Sequence, residues 1–153
     1  MHMLITSSLS LILISTAFAL PSLTFAQGFP PVVKQKVESA QKQVKTIGME
    51  DYRKIIDNPG SALIIDVREP QEYAAGHVPG AVNIPRGMIE FKIWSQLGFP
   101  PHTEMDRPLI LQCQSGNRAS LAAQSLQDLG FTQTTAVVMS LDDWQKAGNP
   151  FVK

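Results

Sequence analysis

The chain has 153 residues, a length for one domain rather than two. Its 13 Lys+Arg balance 13 Asp+Glu, so the formal net charge is zero and a broad basic surface for nucleic acid is excluded. Its one cysteine excludes an internal disulfide and a zinc site built from several thiolates.

No side chain from Leu4 to Ala26 is charged, and Leu9–Leu20 is nearly continuous apolar or small. Thr24 and Ala26, ahead of Gln27, are the small residues a signal peptidase needs, and the "AFA" ending at Ala19 offers a second cut. The apolar core is short for a membrane span of roughly 20 residues. Residues 1–26 therefore read as a cleaved signal peptide. The expectation is a periplasmic or secreted mature chain with no stable membrane insertion after cleavage. Exported proteins usually pair their thiols, so a lone cysteine here implies either burial or chemistry.

Residues 27–46 read as an N-terminal extension, partly helical. In "KQKVESAQKQVKT" (34–46), Val37, Ala40 and Val44 fall at helical spacing. The domain itself is placed over residues 47–153. "GMEDYRKIIDNPG" predicts a short helix with Met49, Tyr52, Ile55 and Ile56 on one face, stopped by Asn58-Pro59-Gly60. "SALIIDV" is a short continuous apolar run, as in a strand buried on both faces. "PQEYAAG" predicts a helical turn, and Ala81–Asn83 a short strand. "GMIEFKIWSQLG" predicts one helix, mostly apolar through Met88, Phe91, Ile93, Trp94 and Leu97; core packing is expected for most of it, with a lid formed by Phe91 and Trp94 as the alternative.

After a proline-marked connector, "LILQ" predicts another buried strand. "NRASLAAQSLQDLG" follows as a helix with Ala119, Ala122, Ala123, Leu126 and Leu129 at helical spacing, and Gly130 ends it. "TTAVVM" predicts a strand and "SLDDWQKAG" a last helix. Strands alternate with helices throughout, which predicts an α/β domain with a mainly parallel sheet.

The chemistry concentrates in "LQCQSGNRAS" (111–120). Cys113 directly follows an apolar strand, so it lies at the carboxyl edge of the sheet, where α/β proteins bind ligands. A helix starts at about Asn117 or Arg118. A loop between a strand end and a helix start turns backbone N–H groups inward and binds anions. A thiolate is an anion, so the same surroundings favour the nucleophilic form. Gly116 suits tight curvature, Ser115 can donate a hydroxyl hydrogen bond, and Arg118 can place a cation at the rim. The alternative is a small buried hydrophobe. With Gln114, Ser115, Gly116, Asn117 and Arg118 around it, the thiol is expected to escape sealing in a dry core.

"CQSGNRA" resembles the active-site loop of the rhodanese family. "DVREPQEYAAGHVPGAVNIP" (66–85) resembles the family's other hallmark, and Trp144–Pro150 resembles its usual ending. The similarity runs from about Ile47 to Phe151. The resemblance implies a single α/β, rhodanese-like domain with a mainly parallel central sheet flanked by helices on both faces. It implies a sulfurtransferase. Cys113 would take sulfane sulfur from a small donor such as thiosulfate, hold it as a persulfide, and yield it to cyanide or a thiol, a protein thiol among the candidates. Gln114, Ser115, Gly116, Asn117 and Arg118 would form the substrate loop, with no metal or organic cofactor.

The six residues from Cys113 to Arg118 match the loop length of sulfurtransferases, whereas related phosphatases carry one more. A phosphatase or arsenate reductase and a non-catalytic binding module are the alternatives. Two positions depart from the family pattern: Gln114 stands where Arg is common, and Met139-Ser140 where Gly-Gly is usual. Met139 could narrow the pocket. Asp66 and Arg68 match the family's Asp-x-Arg and read as supporting residues. Asp66 is expected to accept loop N–H bonds and Arg68 to pair with Glu72, with Arg68 an outside candidate for substrate attraction. His77 reads as a loop-ordering residue rather than a general base.

Overall fold

The computed structural model describes residues 28–153, so the expected signal peptide lies outside the described residues. Helix α1 (Pro31–Gln43) starts on a proline, whose missing N–H costs nothing in a first turn. It begins before the predicted Lys34 and ends before the predicted Thr46. Val44 is extended, with φ −105° and ψ 155°, and Lys45–Ile47 pairs as strand β1 with residues 135–137. Val37 and Ala40 are buried, and Val44 belongs to the main apolar cluster. The Gln41 side chain donates to Ser120 Oγ at 3.2 Å, and that of Gln124 to Gln43 at 2.7 Å. The stretch expected to be an extension thus packs on the domain and adds an edge strand to its sheet.

Four more strands follow: β2 (Leu63–Asp66), β3 (Val82–Asn83), β4 (Leu109–Gln112) and β5 (Thr134–Val137). They join β1 in one sheet of order β1-β5-β4-β2-β3, with every neighbouring pair parallel. Every residue of β2, β4 and β5 is buried, because helices cover both faces. Side chains alternate across the strands. Leu63, Ile65, Leu109, Leu111 and Ala136 enter one apolar layer with Val44, just after α1, and with α6 (Asn117–Asp128). Ile64, Ile110 and Val137 enter a second layer with Tyr52 of α2 (Met49–Asp57) and with Leu141 and Trp144 of α7 (Leu141–Lys146).

Helix α6 ends as Gly130 predicts. Gly130 has φ 99°, its N–H donates to Gln127 O at 2.9 Å, and Phe131 N–H donates to Leu126 O at 3.1 Å. This is a Schellman closure, and it drives Phe131 into the core at 1% exposure. The helix predicted over 87–98 is broken. A 3-10 turn at Arg86–Met88 leads into α4 (Ile89–Lys92) and α5 (Trp94–Leu97). The buried stripe is Ile89, Ile93 and Leu97, spaced by four. Phe91 falls off that stripe, so it is 74% exposed rather than in the core, and Met88 is also exposed. Trp94 does pack inward, its ring 5.5 Å from that of Phe131.

Candidate active site

The carboxyl ends of β2, β4 and β5 meet at one edge, and three loops leave it. The first is the cysteine turn. Its curvature depends on Gly116, at φ 90° and ψ −15°, in the left-handed region that favours glycine. A Cβ there would lie 2.8 Å from Val138 Cα and 3.0 Å from Val137 O. The turn therefore presses its backbone against the end of β5. Gly116 also starts α6: its carbonyl accepts from the Ser120 N–H at 2.9 Å and from the Ser120 hydroxyl at 2.7 Å.

This turn aims the Gly116 N–H at Cys113 Sγ, 3.1 Å away. The thiol is only 2% exposed and belongs to the first apolar layer. Contrary to the expectation from sequence, the polar neighbours do not keep it out of the core. Those neighbours curl outward, with Ser115 exposed and Gln114 and Arg118 half-buried, while the sulfur points inward beneath them. Burial alone would suit an inert hydrophobe. The backbone donor at the sulfur, and the first turn of a 12-residue helix behind it, make the same pocket suited to a sulfur anion.

Arg118, half-buried in the first turn of α6, lies at the rim of the cysteine turn, and its partner is Glu72. Its two terminal nitrogens donate to the two Glu72 oxygens at 2.6 and 2.8 Å. Glu72 also accepts from the Glu69 N–H at 3.0 Å, in the capping box of α3 (Pro70–Ala74). The Arg118 hydrogen bond, aided by the Glu69 N–H, holds the Glu72 carboxyl down at about 2. Glu72 in turn raises the pKa of Arg118, and a negative Cys113 adds to that in smaller part.

The predicted Arg68–Glu72 pair is absent. Arg68 turns back onto Asp66, with Nη2 at 2.6 Å and Nε at 3.0 Å, and donates from Nη2 to Gly76 O at 2.8 Å. Arg68 is 4% exposed and Asp66 fully buried. A buried arginine needs its carboxylate at hand, and Asp66 is two residues away. Arg68 is therefore a structural cation and does not face the rim. Asp66 also accepts the Arg68 N–H at 3.0 Å, as expected of a loop acceptor.

Gln114 is tied to α7. Its side-chain amide donates to Asp142 Oδ1 at 2.9 Å, and its carbonyl accepts the Leu141 N–H at 2.9 Å. Asn117 opens α6 and faces away from this junction, in a groove of about 400 Å³ shared with Phe29, Val33 and Val37. Ser140 caps α7 by accepting the Asp143 N–H at 3.2 Å, while Met139 is buried in the second apolar layer. His77 stacks on Tyr73 at 3.8 Å and pairs its backbone with Val152, as a loop-ordering residue should.

Three residues of this edge were not singled out by sequence: Asn83, Gln112 and Asp142. The Asn83 amide ties the loop after β2 by donating to the carbonyls of Asp66 and Arg68, each at 2.9 Å. Gln112, register partner of Asp66, is fully buried, and neither end of its amide has a partner among the described residues. Asp142 sits 28 residues from the glutamine that it binds, so no local spacing could signal the contact.

Known proteins resemble this chain in sequence and in fold. "Putative sulfur carrier protein YrkF" of Bacillus subtilis is 36% identical over 66% of this chain, and the match spans 51% of that protein's own length. "Thiosulfate:glutathione sulfurtransferase" of Saccharomyces cerevisiae is 30% identical, over 72% of this chain and 87% of that one. Among solved structures, a Rhodopseudomonas palustris protein of unknown function, described as a possible tyrosine phosphatase, superposes with a TM-score of 0.68. It is 25% identical and covers 82% of this chain and 98% of that one. The family profile "Rhodanese-like domain" matches residues 49–147, the span that carries the cysteine turn and both arginine–carboxylate pairs, so the chain belongs to the rhodanese-like domain family.

Proposed function

We propose that the protein is an exported sulfurtransferase that carries sulfane sulfur on Cys113. The observation that carries this reading is the Gly116 N–H held 3.1 Å from Cys113 Sγ at the start of α6. The yeast relative's name as a sulfurtransferase supports the same reading.

In the first half-reaction the Cys113 thiolate attacks the outer sulfur of a donor such as thiosulfate. The donor S–S bond breaks, its electron pair leaves with sulfite, and Cys113 becomes a persulfide anion. In the second, a thiolate or cyanide attacks the outer persulfide sulfur and regenerates the Cys113 thiolate. This splits one transfer into two displacements. A preorganised amide donor stabilises the anion in both. Placement outside the cytoplasm rests on the uncharged leader of residues 4–26.

A phosphate ester would need the loop guanidinium free to grip the phosphoryl oxygens, and here both terminal nitrogens of Arg118 bind Glu72. The test is intact mass after exposure to thiosulfate, run beside hydrolysis of p-nitrophenyl phosphate. Gain of one sulfur, lost again on adding cyanide, is the expected result. Phosphate release without sulfur loading overturns the reading.

A further inference from the structure

The rim of the cysteine turn is short of free positive charge. Arg118 is taken by Glu72, and Arg68, buried beneath the edge, by Asp66. Lys146, on the neighbouring helix α7, pairs with Asp143 at 3.5 Å. Asp142 has no cation within salt-bridge reach among the described residues, and it is exposed. It is also fixed in place: the Gln114 side chain holds its carboxylate at 2.9 Å, and the backbone bond from Leu141 to Gln114 locks helix and loop together. An unpaired negative charge thus stands against the residue next to the nucleophile.

We propose that Asp142, held by Gln114, selects the sulfur donor by charge, favouring monoanionic organic donors, such as alkyl thiosulfonates and organic persulfides, over the thiosulfate dianion. The inference rests on the sulfurtransferase reading. Physically, a fixed carboxylate repels a dianion with twice the energy that it spends on a monoanion at the same place. Rejection therefore acts on the step that brings donor to thiolate, and the acceptor step with neutral or weakly charged acceptors is spared. Asp142 is a specificity-determining residue and touches no reacting atom.

Methanethiosulfonate and thiosulfate make a matched pair of probes. The Cys113 thiolate attacks the outer sulfur of each, the S–S bond breaks, and methanesulfinate or sulfite leaves with the electron pair. The probes differ by a methyl group in place of one charged oxygen. The experiment measures kcat/KM for both with cyanide as acceptor, in the wild-type mature protein and in Asp142→Asn. Asparagine keeps the oxygen that accepts the Gln114 hydrogen bond and removes only the charge.

Wild type should prefer methanethiosulfonate. Asp142→Asn should raise kcat/KM for thiosulfate about three- to tenfold, and that for methanethiosulfonate by about the square root of that factor. Asp143→Asn, whose carboxylate faces Lys146, should leave the ratio of the two donors unchanged. Salt adds a readout that the variant interprets: in wild type the thiosulfate rate relative to methanethiosulfonate should rise with ionic strength as repulsion by Asp142 and by the thiolate itself is screened. In Asp142→Asn this rise should be smaller. Sulfur loading of Cys113 by either donor, with a donor ratio and a salt response that are the same in Asp142→Asn as in wild type, overturns the role of Asp142 and leaves the transfer reading standing. No loading by either donor overturns both.

Discussion

Glu72 and Arg118 are 46 residues apart in the chain and share two hydrogen bonds, at 2.6 and 2.8 Å. The pair clamps α3, which follows β2, to the first turn of α6. Its acidic partner is held deprotonated well into acid, at about 2 against an ordinary 4.5.

That shift has a pH signature. Glu72 has a lowered folded-state pKa, so its stabilisation is present above the unfolded value near 4.5 and is lost as pH falls toward about 2. The pair is about a third exposed, at 32% and 36% for the two side chains, so screening limits it to about 1 kcal/mol or less. Glu72→Gln should therefore be less stable than wild type at pH 7, and the difference should vanish near pH 2. Urea melts at the two pH values check this, and a difference that persists in acid would mean that the carboxylate charge is irrelevant.

Gly116→Ala should be far more damaging than its one methyl suggests. The residue is at φ 90°, and the new Cβ would meet the backbone of Val138 at 2.8 Å. Left-handed strain and a clash with a strand end together should cost about 2 kcal/mol or more. Since the same peptide supplies the N–H at Cys113 Sγ, sulfur loading should fall along with stability. Thermal melts and intact mass read both, and a variant that melts with the wild type would show that the turn can relax.

Cys113→Ser should keep the fold and abolish transfer. The thiol contributes little packing that a hydroxyl cannot roughly occupy, but serine is a far weaker nucleophile at neutral pH and forms no persulfide. The expected outcome is an unchanged circular dichroism spectrum with no sulfur gain and no thiocyanate release. Residual turnover would place the chemistry elsewhere.

Gln112→Met should leave stability unchanged or raise it by about 1 kcal/mol. A buried amide with no protein partner carries its desolvation cost without return, and Gln112 is fully buried with both amide ends unpartnered among the described residues. Methionine has a similar volume and no polar group. A loss of more than about 1 kcal/mol in denaturant melts would show that the amide is satisfied in solution.

Much of the architecture was legible because it is encoded locally. Alternation of short apolar runs with helical spacing marks a parallel α/β sheet, and Gly130 marks the end of α6, since both depend only on neighbours within a turn or two. The position of Cys113 after an apolar strand and before a helix likewise placed it at the sheet's carboxyl edge. Strand β1 was missed because Lys45–Ile47 has three residues and becomes a strand only by pairing with β5. Phe91 was misplaced because the break between α4 and α5 leaves Ile89, Ile93 and Leu97 to define the buried stripe.

The side-chain partners at the site show the same division. Arg68 and Glu72 stand four residues apart, an ordinary pairing distance along a helix, yet Arg68 turned to Asp66 and Glu72 to Arg118. Arg68 is buried and needed the carboxylate buried with it; Glu72 at the rim was left for the arginine that α6 brought across. Sequence by itself determined which chemistry this protein can attempt: one thiol, a glycine turn, an arginine and no second cysteine. Tertiary structure decided how that chemistry is framed, from the burial of Cys113 beneath its own loop to the meeting of Gln114 with Asp142. Charges far apart in the chain choose partners by burial and proximity in space, and those are set only when the sheet and its helices close together.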